Sequence, residues 1–437
     1  MQRGVSLLFI IFLVQVTAAQ AHLPALFGRD FKLYTAPTEL HPLPQAPGQS
    51  DGDAGGDEAA DVDAMPASEK AAPFDARLDD EEQLGGPYGQ GLVEPLYNKA
   101  AYLQRQGDHE DAIRVLQQAL HVSRINDGLT SKQQLPILRA LMQAYRDADE
   151  MRMLDQSWEY MFRLYNLGKE AGEDAQTVSL EYLQWQREAH NSGMDGTARS
   201  RMVQAYLTNQ RLLEELLAQE QVSYERLRAL SLSQLYNLYL LLGMEPVESQ
   251  LDGLTSGYNH GGRGSSGDWV RHRMERLELS GAVEGENLLN QLIEAASEQP
   301  YAERAALYRE LGDWCQWNSR YKSADTAYRE SVRLLREGGE EQLLLSWLHE
   351  PAALPDEEEI WLGLPVIDSE SVPSVLKVRF DLSQRGDVRN AEVVQASVEG
   401  RDVRMLRMLR ETHFRPRWSN GIPEGVLGVE RQYHLLD

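Results

Sequence analysis

From Leu96 onward, apolar and small residues recur at three- and four-residue intervals in paired stretches divided by turn residues. This period limits the chain to amphipathic helices packed in pairs. The first pair carries Leu96, Tyr97, Ala100, Ala101 and Leu103, then Gly107-Asp108, then Ala112, Leu116, Ala119 and Leu120. Ala100, Ala112 and Ala119 stand where two antiparallel helices approach closely, which is why they are small. A second pair places Leu141, Met142, Tyr145, Leu154, Trp158 and Met161 in the corresponding positions, with Tyr145 42 residues after Leu103.

A late pair is the clearest: Tyr308, Leu311-Gly312, Ala324 and Tyr328, with Ser319 at the turn where glycine is expected. Between the pairs, Val178 to Ala189, Arg201 to Leu217, Leu227 to Leu242 and Trp269 to Leu279 also read as amphipathic helices. The pattern resembles the tetratricopeptide repeat in an extended variant, since the standard repeat is about 34 residues. That resemblance implies a helical repeat domain, a solenoid, over 92–337. The Gly-rich stretch from Gly257 to Gly267 reads as an inter-helix loop. A phosphate cradle would need a preceding strand and a Lys followed by Ser or Thr.

The compartment is read from the first residues. Arg3 precedes an apolar run from Val5 to Val16, and Ala19-Gln20-Ala21 supplies the small residues that a signal peptidase recognises. A signal peptide over 1–21, cleaved between Ala21 and His22, and a periplasmic location are expected; the alternative is a retained inner-membrane anchor. The run falls short of the roughly 20 residues that span a bilayer. Cys315 is the only cysteine, so neither an intramolecular disulfide nor a lipoprotein-type lipid anchor is expected, and Cys315 reads as a small buried hydrophobe. A net charge of −25 argues against nucleic acid and anionic lipid as partners. Residues 22–91, with Asp51, Asp53, Asp57, Glu58, Asp61 and Asp63, read as an acidic disordered linker.

After Glu337 prolines and acids suggest a second linker over 338–371, with one short strand at Ile360-Trp361-Leu362. The period then changes to two: Val375, Lys377, Arg379 and Asp381 alternate with Leu376, Val378, Phe380 and Leu382, as in a strand with one buried face. A turn at Gln384-Arg385-Gly386-Asp387, a strand from Val388 to Ser397, a helix over Arg401 to Thr412 burying Val403, Leu406 and Leu409, and strands at Phe414 to Trp418 and Val426 to Leu435 are expected to follow. Phe380-Asp381-Leu382 with Gly386 and Val388, the helix running into Phe414-Arg415-Pro416, then Gly421-Ile422-Pro423 and a strand ending Tyr433-His434-Leu435 resemble the TonB C-terminal domain. The likeness covers 372–437.

The fold class expected is therefore mainly α: a tetratricopeptide-like helical solenoid followed by a small α+β TonB C-terminal-like domain. The second resemblance implies binding by strand addition along the last strand, at Val426, Leu427, Gly428, Val429, Glu430, Arg431, Gln432, Tyr433, His434 and Leu435. The ten histidines form no ligand pair with one another or with Cys315, and His109, His190 and His413 read as capping or surface residues. With no nucleophile elbow either, the chain is expected to be no enzyme, to have no catalytic residues, and to use no cofactor or metal. Its expected function is that of a periplasmic adaptor. Its partners would be envelope proteins or peptides, including outer-membrane receptors or peptidoglycan, and a homodimer through the C-terminal domain is compatible with the same strand. The alternatives are a diverged TonB-type energy transducer for outer-membrane transport, with its anchor retained, and a self-associating envelope scaffold.

Overall fold

The computed structural model describes residues 72–166, 173–195, 199–244, 266–357, 360, 362, 375–396, 402–419 and 421–434. The predicted signal segment with its Ala21/His22 junction, Gly257 to Ser265, Trp361 and Leu435 lie outside them. Among the described residues the chain is mainly helical, with a small strand region at the C-terminal end. Two compact units divide it, one holding 72–241 and 266–273, the other 242–244 and 274–434.

In the first unit α1 (Ala72–Gly85), α2 (Val93–Arg105), α3 (His109–Asp127), α4 (Leu135–Asp147), α5 (Met151–Asn166), α6 (Glu173–Asn191), α7 (Ser200–Leu217) and α8 (Tyr224–Leu242) follow one another. The predicted small residues Ala100, Ala112 and Ala119 are fully buried, Ala100 and Ala119 in a core with Leu96, Leu116, Leu138, Leu141, Tyr145, Leu154 and Trp185. One turn recurs between paired helices. After α2 the Asp108 amide donates to the Leu103 carbonyl, after α4 Glu150 donates to Tyr145, and after α6 Met194 donates to Ala189. The residue before each donor is left-handed: Gly107 at φ 82°, Asp149 at 58° and Gly193 at 77°. This six-to-one closure satisfies carbonyls that the helix end would otherwise orphan. Arg139 pairs with Glu181 at 2.8 Å and Arg146 with Glu188, each pair 42 residues apart, the step already seen between Leu103 and Tyr145.

The acidic stretch departs from expectation at its C-terminal end. Residues 72–85, placed in the linker over 22–91, form α1, held by a 2.5 Å Asp75–Lys99 pair and by Phe74 against Tyr102 at 5.4 Å between ring centroids. Phe74 and Leu78 are spaced one turn apart, and Leu78 packs against the core; two apolar anchors suffice where a preformed face is available.

The second unit contains most of α9 (Ser266–Ala295), then α10 (Tyr301–Trp317), α11 (Tyr321–Gly338) and α12 (Glu341–Leu348). Helices α10 and α11 form an antiparallel hairpin, because contacts pair positions placed symmetrically about Ser319 and Arg320. Ser331 donates to the Ala305 carbonyl at 2.8 Å, Tyr328 to Asp313 at 2.7 Å, and a Cβ at Gly312 would lie 2.5 Å from the Tyr328 ring. Ser319 takes the left-handed turn conformation at φ 58°, and Arg320 donates to the Cys315 carbonyl, the same closure as in the first unit.

Where a linker is expected over 338–371 the structure has α12 and a two-residue strand, β1 (Ala352–Ala353). Leu348, Ala353, Leu354 and Ile360 are buried, so this segment packs instead of spacing. Ile360 and Leu362 are not in a strand. Beyond it come β2 (Val375–Leu382), β3 (Val388–Ala396), α13 (Asp402–Glu411), β4 (Phe414–Arg415), β5 (Arg417–Ser419), β6 (Ile422–Glu424) and β7 (Val426–His434). The expected single strand at Phe414 to Trp418 is split at Pro416: β4 pairs antiparallel with β1, and β5 with β6. The main sheet has the order β3-β2-β7, all antiparallel. Leu376, Val378, Phe380 and Leu382 are buried with Met405, Met408, Leu409, Phe414, Val429 and Tyr433. The face of α13 thus differs from the expected Val403, Leu406, Leu409 set. Val403 is 67% exposed, and Met405, Met408, Leu409 and Thr412 form the buried stripe, at helical spacing that the flexible methionines fill equally well.

Candidate binding edge of the C-terminal sheet

Strand β7 pairs on one side with β2, in the register Leu376 with Tyr433, Lys377 with Gln432, Val378 with Arg431, Arg379 with Glu430 and Phe380 with Val429. It ends the sheet order, so among the described residues its other edge faces no strand. Alternation divides its side chains. Val429 and Tyr433 go to the core, while Leu427, Glu430 and Gln432 are exposed, Leu427 at 82%.

Regular pairing breaks between Phe380 and Leu382. There Gly428, at φ 68°, donates its amide to the Asp381 carboxylate at 2.8 Å, and Asn390 donates to the same carboxylate at 2.8 Å. These two donors, Asn390 first, hold the Asp381 carboxyl below its ordinary pKa. A side chain at Gly428 would have to occupy the left-handed region, so glycine is required by the bend. On the solvent face Lys377 and Arg379 of β2 converge on Glu430 at 2.6 and 2.7 Å, and Arg379 also reaches Glu392 of β3 at 3.4 Å. Hydrogen bonds from Lys377 and Arg379 lower the Glu430 pKa. These exposed pairs fix strand register more than they add stability.

Of the ten edge residues named from sequence, nine lie in β7 and Leu435 lies outside the described residues. The sheet itself is anchored by a residue to which the sequence reading assigned no role. Arg415, 3% exposed at its side chain, makes a bidentate pair with the equally buried Asp313 of α10 at 2.8 and 2.5 Å. It also donates to the Trp347 carbonyl at 2.8 Å and to Asp356 at 3.0 Å. Burial opposes the guanidinium charge, but Asp313 and Asp356 outweigh it and hold the Arg415 pKa above its ordinary value. Gln316 of α10 donates to the Phe414 carbonyl at 2.9 Å and to the Arg385 carbonyl at 2.5 Å. The chain from Phe414 to Pro416 is therefore clamped to the helical hairpin.

Next to this clamp Glu310 is buried on α10, and burial, followed by the charges of Glu357 and Asp313, raises its pKa well above the usual carboxyl range. Cys315, read as a small buried hydrophobe, and the three histidines read as capping or surface residues lie far apart in sequence. Cys315 is buried, and burial pushes its thiol up to about 11, which keeps it an inert thiol. His109 begins α3 at 3.9 Å from Asp147, and His190 lies in the last turn of α6. His413 is half-buried beside β4, with its pKa lowered by burial. Among the described residues no group of acids, histidines or cysteine is arranged to hold a metal ion, and no helix is long and apolar enough to cross a membrane.

No family model and no curated protein matches this chain. Solved structures do match, among them one described as the crystal structure of BtubC (BKLC) from P. vanneervenii. It is 13% identical, covers 63% of this chain and 93% of the other, and has a TM-score of 0.25. A likeness at that score carries no argument about fold or function.

Proposed function

We propose that the chain is a non-enzymatic binding protein of the periplasm, an adaptor in which a tetratricopeptide-like solenoid holds one envelope partner and a TonB-like C-terminal domain takes another by strand addition to β7. The observation that carries this reading is the edge of β7 that faces no strand among the described residues, whose N–H and C=O groups an extended segment can satisfy. The bend at Gly428 interrupts regular pairing and limits the docking length to Val429–His434, about six residues or three alternate side chains on each face. Support for the repeat reading comes from the turn shared by Gly107, Asp149, Gly193 and Ser319 and from the ion pairs spaced by 42 residues.

A photoreactive residue at Gln432 of the full chain, expressed in its native cell, tests the edge. Adducts with another envelope protein, absent when the probe is moved to Arg407 on the exposed face of α13, are the expected result. Equal labelling from both positions would remove β7 as the binding edge. Adducts of twice the chain's mass would favour the self-associating scaffold, and exposed Leu427 beside the edge is the observation that keeps that reading in play. Energy transduction for outer-membrane transport, the other reading, requires a retained anchor. Sequencing the native N-terminus decides it, since a start at His22 removes the transducer.

A further inference from the structure

A cleft of about 680 Å³ opens between the first turn of α11, the β2–β3 hairpin and the segment Pro416 to Pro423. Four cations line it, Arg320, Lys322, Arg329 and Arg385, against one carboxylate, Asp325. In a chain of net charge −25 such a local excess runs against the average. Arg320 is answered by Glu286 and Arg329 by Asp325. Among the described residues no carboxylate pairs with Lys322 or Arg385. The α11 terminus adds to the field, because its N-cap residue Arg320 supplies no side-chain acceptor and its first turn contains no acid.

Two further features shape the cleft. Trp418, 4% exposed, forms part of its apolar floor beside Pro416 and Pro423. Arg385 stands on a hairpin whose backbone is fastened to α10 and packed against β4. Ser383 accepts from the amides of Arg385 and Asp387 at 3.1 Å each, Gln316 holds the Arg385 carbonyl, and a Cβ at Gly386 would collide with the Phe414 carbonyl. A backbone held in place lowers the cost of ordering the Arg385 side chain on a ligand.

We propose that this cleft binds an acidic peptide segment, its carboxylates meeting Lys322 and Arg385 while Trp418, Pro416 and Pro423 supply apolar walls. The two uncommitted cations, Lys322 and Arg385, sit on separate elements, and Arg329, paired with Asp325, adds a third cation seven residues beyond Lys322 on α11, a rise of about 10 Å. Charges distributed in this way match acids spaced along a chain. A single phosphate needs donors that converge on one point. The proposal uses no residue of the β7 edge and stands apart from the strand-addition reading.

The test is a titration of the full chain with a labelled synthetic dodecapeptide carrying glutamate at every third position, and with the same peptide carrying glutamine. A second chain, with the acids of residues 51–63 changed to their amides, removes competition from the chain's own acidic tract. Binding of the glutamate peptide alone is expected. It should weaken about tenfold in Lys322→Glu and in Arg385→Glu, and weaken further as salt rises from about 50 to 200 mM. Lys322→Arg should retain it. An acid in the first turn favours the helix, so a loss in Lys322→Glu does not report unfolding. Equal weakening by Arg407→Glu would overturn the proposal by showing diffuse attraction. Full displacement by millimolar inorganic phosphate would overturn it in favour of a small-anion site. Absence of binding to either chain at 1 mM peptide would leave no site at all.

Discussion

Arg415 ties the strand β4 to α10, to the end of α12 and to the segment that follows it. Its two bonds to Asp313, with further bonds to Trp347 and Asp356, compensate both charges in a site that excludes water. Arg415→Ala leaves Asp313 buried and uncompensated, and should cost about 3–5 kcal/mol of stability, measured by denaturant unfolding of the full chain. The neighbouring Glu310 is linked to stability in the opposite sense to an acid whose pKa an ion pair lowers. Its folded pKa is raised, first by burial, so the folded state binds its proton more tightly than the unfolded state does. Stability from this group is complete below the unfolded value and is lost as pH rises from there through the folded pKa. Glu310→Gln keeps a neutral hydrogen-bonding group and should flatten that decline in a series of melting temperatures taken at rising pH. His413 has the opposite sign: burial lowers its pKa, so its contribution is present above the unfolded value and lost as pH falls through the folded one. None of this was legible locally, since Asp313 and Arg415 stand 102 residues apart and neither looks unusual among its own neighbours.

At the scale of elements, the helix ends were legible where chemistry is local. The glycine at position 107 and the expected glycine replaced by Ser319 occupy the same left-handed turn, at φ 82° and 58°. Ser319 carries a Cβ in that region, so Ser319→Gly should relieve strain and stabilise the chain by about 0.5–1 kcal/mol, read as a higher melting temperature. In the same hairpin Gly312→Ala should destabilise by about 1–3 kcal/mol, because the added methyl meets the Tyr328 ring and overpacks the core. The period-two pattern from Val375 to Leu382 identified the central strand and its buried face, all four of whose even-numbered residues are buried. The face of α13 was misread because Val403, Leu406 and Leu409 fit an apolar stripe as well as Met405, Met408 and Leu409 do. Only contact with the sheet distinguishes them.

For the molecule as a whole, the position of the C-terminal unit's boundary changes which fragments can fold. A fragment of residues 372–437 would leave Phe414, Arg415 and Trp418 without the helices against which they are buried, and would lose β1, the partner of β4. Such a fragment should fail to give a cooperative melt or a dispersed amide spectrum, whereas residues 274–437 should give both. If the shorter fragment folds, the clamp to α10 is dispensable and the sheet is an independent module. The predicted spacer over 338–371 misled for the same reason. Pro351, Pro355 and the acids from Asp356 look like linker composition, yet Asp356 pairs with Arg415 and Glu357 with Arg309.

Periodicity and turn chemistry were enough to read the helices of the repeat region, though not α1 or α12, together with the alternating strand and the hairpin glycine, because each depends on residues within a few positions of one another. Which strand lies at the sheet edge, which face of α13 is covered, and where charge accumulates in a cleft depended on residues brought together from far apart. The cleft joins α11 to a hairpin more than fifty positions away. Burial and Coulomb energy act through space, so a pairing such as Asp313 with Arg415 leaves no mark in the local pattern of either segment.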